Sequence, residues 1–295
     1  MSVARSNDAE KGSKLAKTYY DSDDAQKFYS AIWGEETLHI GRYDMLTDED
    51  KKNLDLHDQI SKAEYYHESE FIKLIQSKFP NQKIHILDMG CGYGGLLRRL
   101  WEAGVVDNAT GCDISQKMCE QARRINERQN CDKQITIKEE SYLEVSLPDQ
   151  SCDLVISMEA LLHVGPDGQT QAVKEAARIL KRGGWMIFSD IMQQEDVDPE
   201  EMKPIYERIY LSKMGTVSHY KEIMEANGFE HFDFRPNTST NVSKHYGTIH
   251  EVLEEKGDEL GISKEYQAKM KAGLSTWRDL GTKNIVWGFV LAQKK

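Results

Sequence analysis

A chain of 295 residues, 39% hydrophobic and 29% charged, is long enough for one large α/β domain with a substantial core, and this composition excludes wholesale disorder and fibrous classes. Its 38 Lys and Arg against 49 Asp and Glu give a formal charge of −11, which repels a phosphate backbone and argues against nucleic-acid partners. No apolar run reaches the roughly 18 residues of a membrane helix and the first residues lack a signal-peptide core, so a cytoplasmic protein without a membrane partner is expected.

Residues 1–17 are polar, show no apolar periodicity and read as a flexible tail ahead of a single domain over 18–295. From Tyr19 to about Gly41, Ala25, Phe28, Tyr29 and Ile32 recur at three- and four-residue steps, as on one face of a helix whose far end is crowded with aromatics. A second helical stretch follows at about 49–78. Leu56, Ile60, Tyr65 or Tyr66, Phe71 and Leu74 supply its apolar stripe, and Pro80 marks its stop. Together these form a helical cap over 18–80.

After Pro80, short apolar runs alternate with helical segments: KIHILDMG, LLRRLWEAG, ATGCDIS, QKMCEQARRINERQ, QITIKEES, CDLVISMEALLHV, QTQAVKEAARILKRGG and WMIFSDIM. Five buried-type strands with helical crossovers predict a doubly wound, Rossmann-like α/β core over 81–192. SHYKEIMEANGFEHFDF then reads as a helix and a strand, and NIVWGFVLAQ as the last of seven mostly parallel strands. Helical inserts at about 193–216 and 239–283 follow strands five and six. Both are expected over the carboxyl edge of the sheet, where ligands bind in such folds, as lid elements. The five cysteines are odd in number and include no CxxC pair, so buried free thiols are expected, with neither disulfides nor a metal site.

HILDMGCGYGG places Gly90, Gly92, Gly94 and Gly95 between a strand and a helix. The spacing of Gly90, Gly92 and Gly95 satisfies the dinucleotide fingerprint, so the glycines alone do not choose between NAD and S-adenosylmethionine (SAM). Asp88, two residues before Gly90, favours SAM: a carboxylate there meets an α-ammonium group and repels a pyrophosphate. Asp113 ends the next strand about 20 residues after Gly94, at the distance from which an acid reaches a ribose diol. Ser141 and Tyr142 at the end of strand three suit an adenine edge and face. Ile114 beside Asp113 and Met158 at the end of strand four complete the expected cofactor wall.

D-x-G-x-G-x-G, the acid ending strand two and ARILKRGGWMIFSD resemble class I SAM-dependent methyltransferases over residues 80–192. W-G-E-x-x-L-H-I-G after a tyrosine-rich helix, YERIYLSKMGT, VSKHY and NIVWGF narrow the resemblance to sarcosine/dimethylglycine N-methyltransferases, with phosphoethanolamine, tocopherol and sterol methyltransferases as relatives. The strand-four end SMEA departs from the Asn-Pro-Pro-Tyr type of enzymes that methylate DNA adenine or protein amides. The resemblance implies methylation of a small amine, sarcosine and dimethylglycine, to give the osmolyte glycine betaine, by a monomer or homodimer. Other small acceptors remain open: a phospho-base, a thioether or thiol acid, a prenylated ring.

Methyl transfer asks a protein for alignment, desolvation and a neutral nucleophile. His163, just beyond strand four, is placed to take or relay an amine proton. In phosphoethanolamine relatives the matching histidine pairs with a tyrosine of the N-terminal helix, which implies Tyr20. Tyr29 and His39 are expected near the methionine moiety and Trp33 near the substrate, where an aromatic face favours methylated cations. Arg208, with Tyr210 beside it, is expected to hold a substrate carboxylate.

Overall fold

Ala25, Phe28 and Ile32 are fully buried along one side of a short helix, α1 (Asp23–Phe28), which Ser22 caps and which widens into a π turn over Tyr29–Trp33. The computed structural model describes residues 22–33 and 36–295. The helix ends at Trp33, short of the Gly41 that periodicity suggested, and 37–42 carry no helical bonds. The expected helix at 49–78 is two: α2 (Asp48–Asn53), with a Thr47–Asp50 capping box, and α3 (Leu56–Lys78). Asp55 causes the break, because its carboxylate caps α3 by accepting from the N–H of Asp58. Of the two candidate stripe tyrosines, Tyr66 packs against Tyr43, Leu46 and Ala63, and Tyr65 lies half in solvent.

The runs after Pro80 form β1 (Ile84–Met89), α4 (Gly95–Glu102), β2 (Val106–Asp113), α5 (Gln116–Arg128), β3 (Ile135–Glu139), β4 (Cys152–Met158), α6 (Gly165–Ile179) and β5 (Leu180–Gln193). Then follow α7 (Pro199–Arg208), α8 (Val217–Ala226), β6 (Phe229–Asn237), α9 (Thr240–Lys256), α10 (Lys264–Leu280) and β7 (Ile285–Lys294). The seven strands lie in the order β3-β2-β1-β4-β5-β7-β6. β1 to β5 pair in parallel and β7 runs antiparallel to both its neighbours. This is the expected seven-stranded, mostly parallel, Rossmann-like sheet.

Alternate residues fill opposite sides of it. Leu87, Met89, Val155, Phe188 and Val290 pack with α6 and α8 residues such as Val173 and Met224. Ile84, Ile86, Ile156, Ile187 and Leu291 pack with Phe71, Leu97 and Ala122 of α3, α4 and α5. Burial of each such side chain contributes about 1.5–3 kcal/mol before the entropy of ordering is counted. The strand order reverses between β1 and β4, and the crevice at that switch point is where such sheets hold ligands. No helix among the described residues is long and apolar enough to cross a membrane.

Candidate active site

Two concave cavities open at the switch point, the usual place for a ligand in such a sheet. The first lies on the glycine loop. Gly90 has φ +81, and a Cβ there would stand 2.4 Å from the Cβ of Ala160 just beyond β4, so only glycine lets the two strand ends close up. At Gly92 the nearest atom to a Cβ is Leu38 Cδ1 at 4.0 Å, which leaves the backbone open to the cavity. Asp113 ties the loop down by accepting from the Gly92 N–H at 3.0 Å and the Ser115 N–H at 2.9 Å. Tyr142 donates its hydroxyl to the Ala160 carbonyl at 3.0 Å.

Residues 36–39 form the opposite wall of this cavity. Bonds to the helices hold this strap in place: Thr37 Oγ1 to Glu64 at 2.9 Å, Gly41 N–H to His245 Nδ1 at 3.3 Å and Arg42 N–H to the Ala63 carbonyl at 2.8 Å. Burial lowers His245 to about 3, so its ring is neutral and Nδ1 is free to accept. No Lys or Arg lines the cavity among the described residues, whereas Glu36, Asp113 and Glu159 do. That donor set fits a cationic adenosyl sulfonium and opposes a pyrophosphate.

Glu159 follows the last residue of β4 with φ +47, a left-handed backbone that a residue with a Cβ adopts at a cost of about 1–2 kcal/mol. Its carboxylate accepts from Ser189 Oγ at 2.6 Å, Trp287 Nε1 at 2.9 Å and the Ile40 N–H at 3.3 Å. His67 Nε2 and His39 Nδ1 stand 3.5 and 3.7 Å away. Burial pushes this carboxyl up, but the donors and imidazoles outweigh it and hold it down at about 2. On its far side His39 faces Glu68 at 3.7 Å, and Glu68 pairs with Arg99. Burial nevertheless lowers the pKa of His39.

The second cavity lies between α1, the strap and the two inserts, lined by Tyr29, Trp33, Arg208, Tyr210, Tyr246 and Trp277 among others. Arg208 lies against α10, its Nη2 3.5 Å from Met270 Sδ, at a place where the missing side chain of Gly273 leaves it room. Leu38, Glu159 and His163 line both cavities. Burial, then the Arg208 charge, pushes His163 down to about 4.

His39, Gly90, Gly92, Asp113, Ile114, Ser141, Tyr142 and Met158 thus gather around the first cavity. Trp33, Arg208 and Tyr210 gather around the second, and His163 stands between them. Two positions differ. Tyr29, expected near the methionine end, lines the second cavity because the π turn sets its ring 5.4 Å from that of Trp33. Asp88 lines neither cavity: the loop turns back onto Cys112, covering the strand end and leaving this residue 3% exposed. Burial, then the charge of Asp113, raises Asp88 to about 8. Tyr20 lies outside the described residues. All five cysteines are free and buried.

Sequence reasoning missed Glu159, Tyr246 and Trp277. A lone acid directly after a buried strand was the available signal for Glu159. The two rings sit at helix-face positions that periodicity assigns to a core.

A family model described as a methyltransferase domain matches residues 86–184. The chain is 33% identical over 289 residues to a sarcosine/dimethylglycine N-methyltransferase of Halorhodospira halochloris, covering 95% of this chain and 96% of that one. It is 32% identical over 285 residues to the enzyme of the same description from Aphanothece halophytica, covering 95% and 97%. The crystal structure of a Galdieria sulphuraria protein proposed to be a sarcosine dimethylglycine methyltransferase superposes with a TM-score of 0.80 at 28% identity, over 92% of this chain and 99% of that one. Because these matches run through the cap, the glycine loop and both inserts alike, the chain belongs to the sarcosine/dimethylglycine family of SAM-dependent N-methyltransferases.

Proposed function

We propose that this protein methylates the nitrogen of sarcosine and of dimethylglycine, ending in glycine betaine, with the cofactor in the first cavity and the amine in the second. The observation that carries the reading is the shared wall of Leu38, Glu159 and His163, where a group in one cavity meets a group in the other. When bound, SAM supplies an electrophilic methyl on a cationic sulfur, and transfer is an in-line displacement by the amine lone pair.

Asp113 holds the ribose hydroxyls and Ser141 and Tyr142 the adenine, while Asp88, covered by the loop, acts on the α-ammonium through its charge alone. Arg208 takes the substrate carboxylate, with Tyr210 beside it. Arg208 is the one Lys or Arg among the described residues lining the second cavity, which suits a monoanionic carboxylate better than a phosphate dianion. Glu159, ionised and fixed, stabilises the positive charge that ends on nitrogen. His163, neutral above about pH 4, accepts a hydrogen bond from the N–H of sarcosine and turns its lone pair toward the methyl, whereas neutral dimethylglycine has no N–H and is oriented by its carboxylate. At that basicity it is a weak taker of a proton from an ammonium, so the amine loses its proton to water on entry. Residues 193–216 and 239–283 act as lid elements that exclude water.

Methyl-labelled SAM is incubated with the purified protein and, separately, glycine, sarcosine, dimethylglycine, phosphoethanolamine and a thioether acid. Label in dimethylglycine and betaine is expected. Label confined to another acceptor would replace the substrate, and label in none would overturn the reading.

A further inference from the structure

The second cavity carries more aromatic surface than alignment of a small amino acid requires. Tyr29 and Trp33 come from the end of α1, Tyr246 from α9 and Trp277 from α10, and all four rings line it. They touch in sequence: Tyr29 to Trp33 at 5.4 Å between centroids, Trp33 to Tyr246 at 5.9 Å and 87°, Tyr246 to Trp277 at 5.3 Å and 18°. Glu159, shared with the cofactor cavity, and Arg208 line the same chamber as these rings.

We propose that this four-ring wall is the specificity element that counts N-methyl groups, favouring the more methylated ammonium at each stage. The inference rests on the functional reading above and extends it to residues that reading does not use. An aromatic face attracts a cation through its quadrupole and offers no hydrogen-bond acceptor. A primary ammonium brings N–H donors that lose water there without full replacement, whereas each added methyl removes one donor and adds apolar contact. Discrimination therefore runs from glycine, the poorest, through sarcosine to dimethylglycine, with betaine held best. Rings from three separate elements meet only in the folded cavity, so the wall forms when the inserts are docked.

The test is direct binding, which needs no turnover: betaine against 3,3-dimethylbutyrate, its isostere with carbon in place of nitrogen, measured by calorimetry on the whole protein. Betaine is expected to bind about fivefold more tightly, the range of a partly desolvated cation on aromatic faces. Trp33→Leu and Trp277→Leu are each expected to bring the ratio toward one. Both tryptophans are buried, so global 5-fluorotryptophan incorporation serves as the shape-preserving control. It should weaken betaine and leave the isostere unchanged. Equal binding of the two ligands by the native protein would overturn the proposal. So would a preference that survives both substitutions and the fluorinated rings but disappears in Glu159→Gln, since the carboxylate would then read the charge alone. Ring-dependent betaine binding without methyl transfer to either amine would remove the functional reading and leave the wall standing, whereas methyl transfer with equal ligand binding would do the reverse.

Discussion

Asp88 shows how a residue can be read correctly in type and still behave unexpectedly in place. A carboxylate at the end of β1 was legible from D-x-G-x-G, but its burial was not, because that depends on how the loop turns back over β2. Raised to about 8, its carboxyl is protonated in the free protein at neutral pH and must ionise to attract an ammonium from beneath the loop. SAM affinity should therefore rise from pH 6 to about 8, with proton release on binding near pH 7, detectable by calorimetry in buffers of different ionisation heat. The folding linkage has the opposite slope. Since the unfolded carboxyl titrates near 3.9, the stability that Asp88 contributes in its protonated form is lost as pH rises through about 8. Asp88→Asn should thus raise Tm at pH 8 by about 3 °C or more while weakening SAM binding. A lower Tm, or pH-independent affinity, contradicts this account.

His163 makes a second prediction at the same scale. Held near 4 by burial and by Arg208, it carries no proton to lose between pH 6 and 7. The kcat/KM for sarcosine should rise with pH with no break near 6.5, following only the amine. A break there that disappears in His163→Ala would make it a titrating base. Glu159 was legible only as a lone acid after a buried strand, since its role follows from one left-handed backbone turn and from donors contributed by β5 and β7, remote in sequence.

Among the elements, the sheet was the most legible, because strands buried on both faces are continuous apolar runs that need no partner to be recognised. The N-terminal cap was the least. Its aromatic periodicity marked a helix, but the π turn that moves Tyr29 and the extended strap that carries His39 depend on what they pack against. The strap crosses the glycine loop so closely that a Cβ on Gly95 would lie 2.1 Å from the Glu36 carbonyl. A corresponding contact fixes the second insert, where a Cβ on Gly273 would lie 2.0 Å from Arg208 Nε. These two glycines separate the cavities experimentally. Gly273→Ala should displace the guanidinium and raise KM for dimethylglycine roughly tenfold, about 1.4 kcal/mol, with SAM affinity unchanged. Gly95→Ala should lift the strap and weaken SAM instead. The reverse pattern would exchange the roles of the two cavities.

At the scale of the whole molecule, β1 and β4 meet at the reversal of strand order, and that single topological event brings the glycine loop, Glu159 and His163 together. The inserts then close a second chamber against the first. Sequence alone pointed to both inserts at this edge, but not to the encounter of Tyr246, itself stacked on Trp277, with the distant Trp33.

The central claim is that cofactor and amine face each other across the wall of Leu38, Glu159 and His163. A crystal structure of the protein with S-adenosylhomocysteine and dimethylglycine tests it most directly. The account predicts the dimethylamino nitrogen within about 5 Å of the sulfur, close to a near-attack separation once a methyl lies between them, with the carboxylate on Arg208. Dimethylglycine bound with its nitrogen turned away from the sulfur, or outside the chamber lined by Trp33 and Arg208, would contradict it.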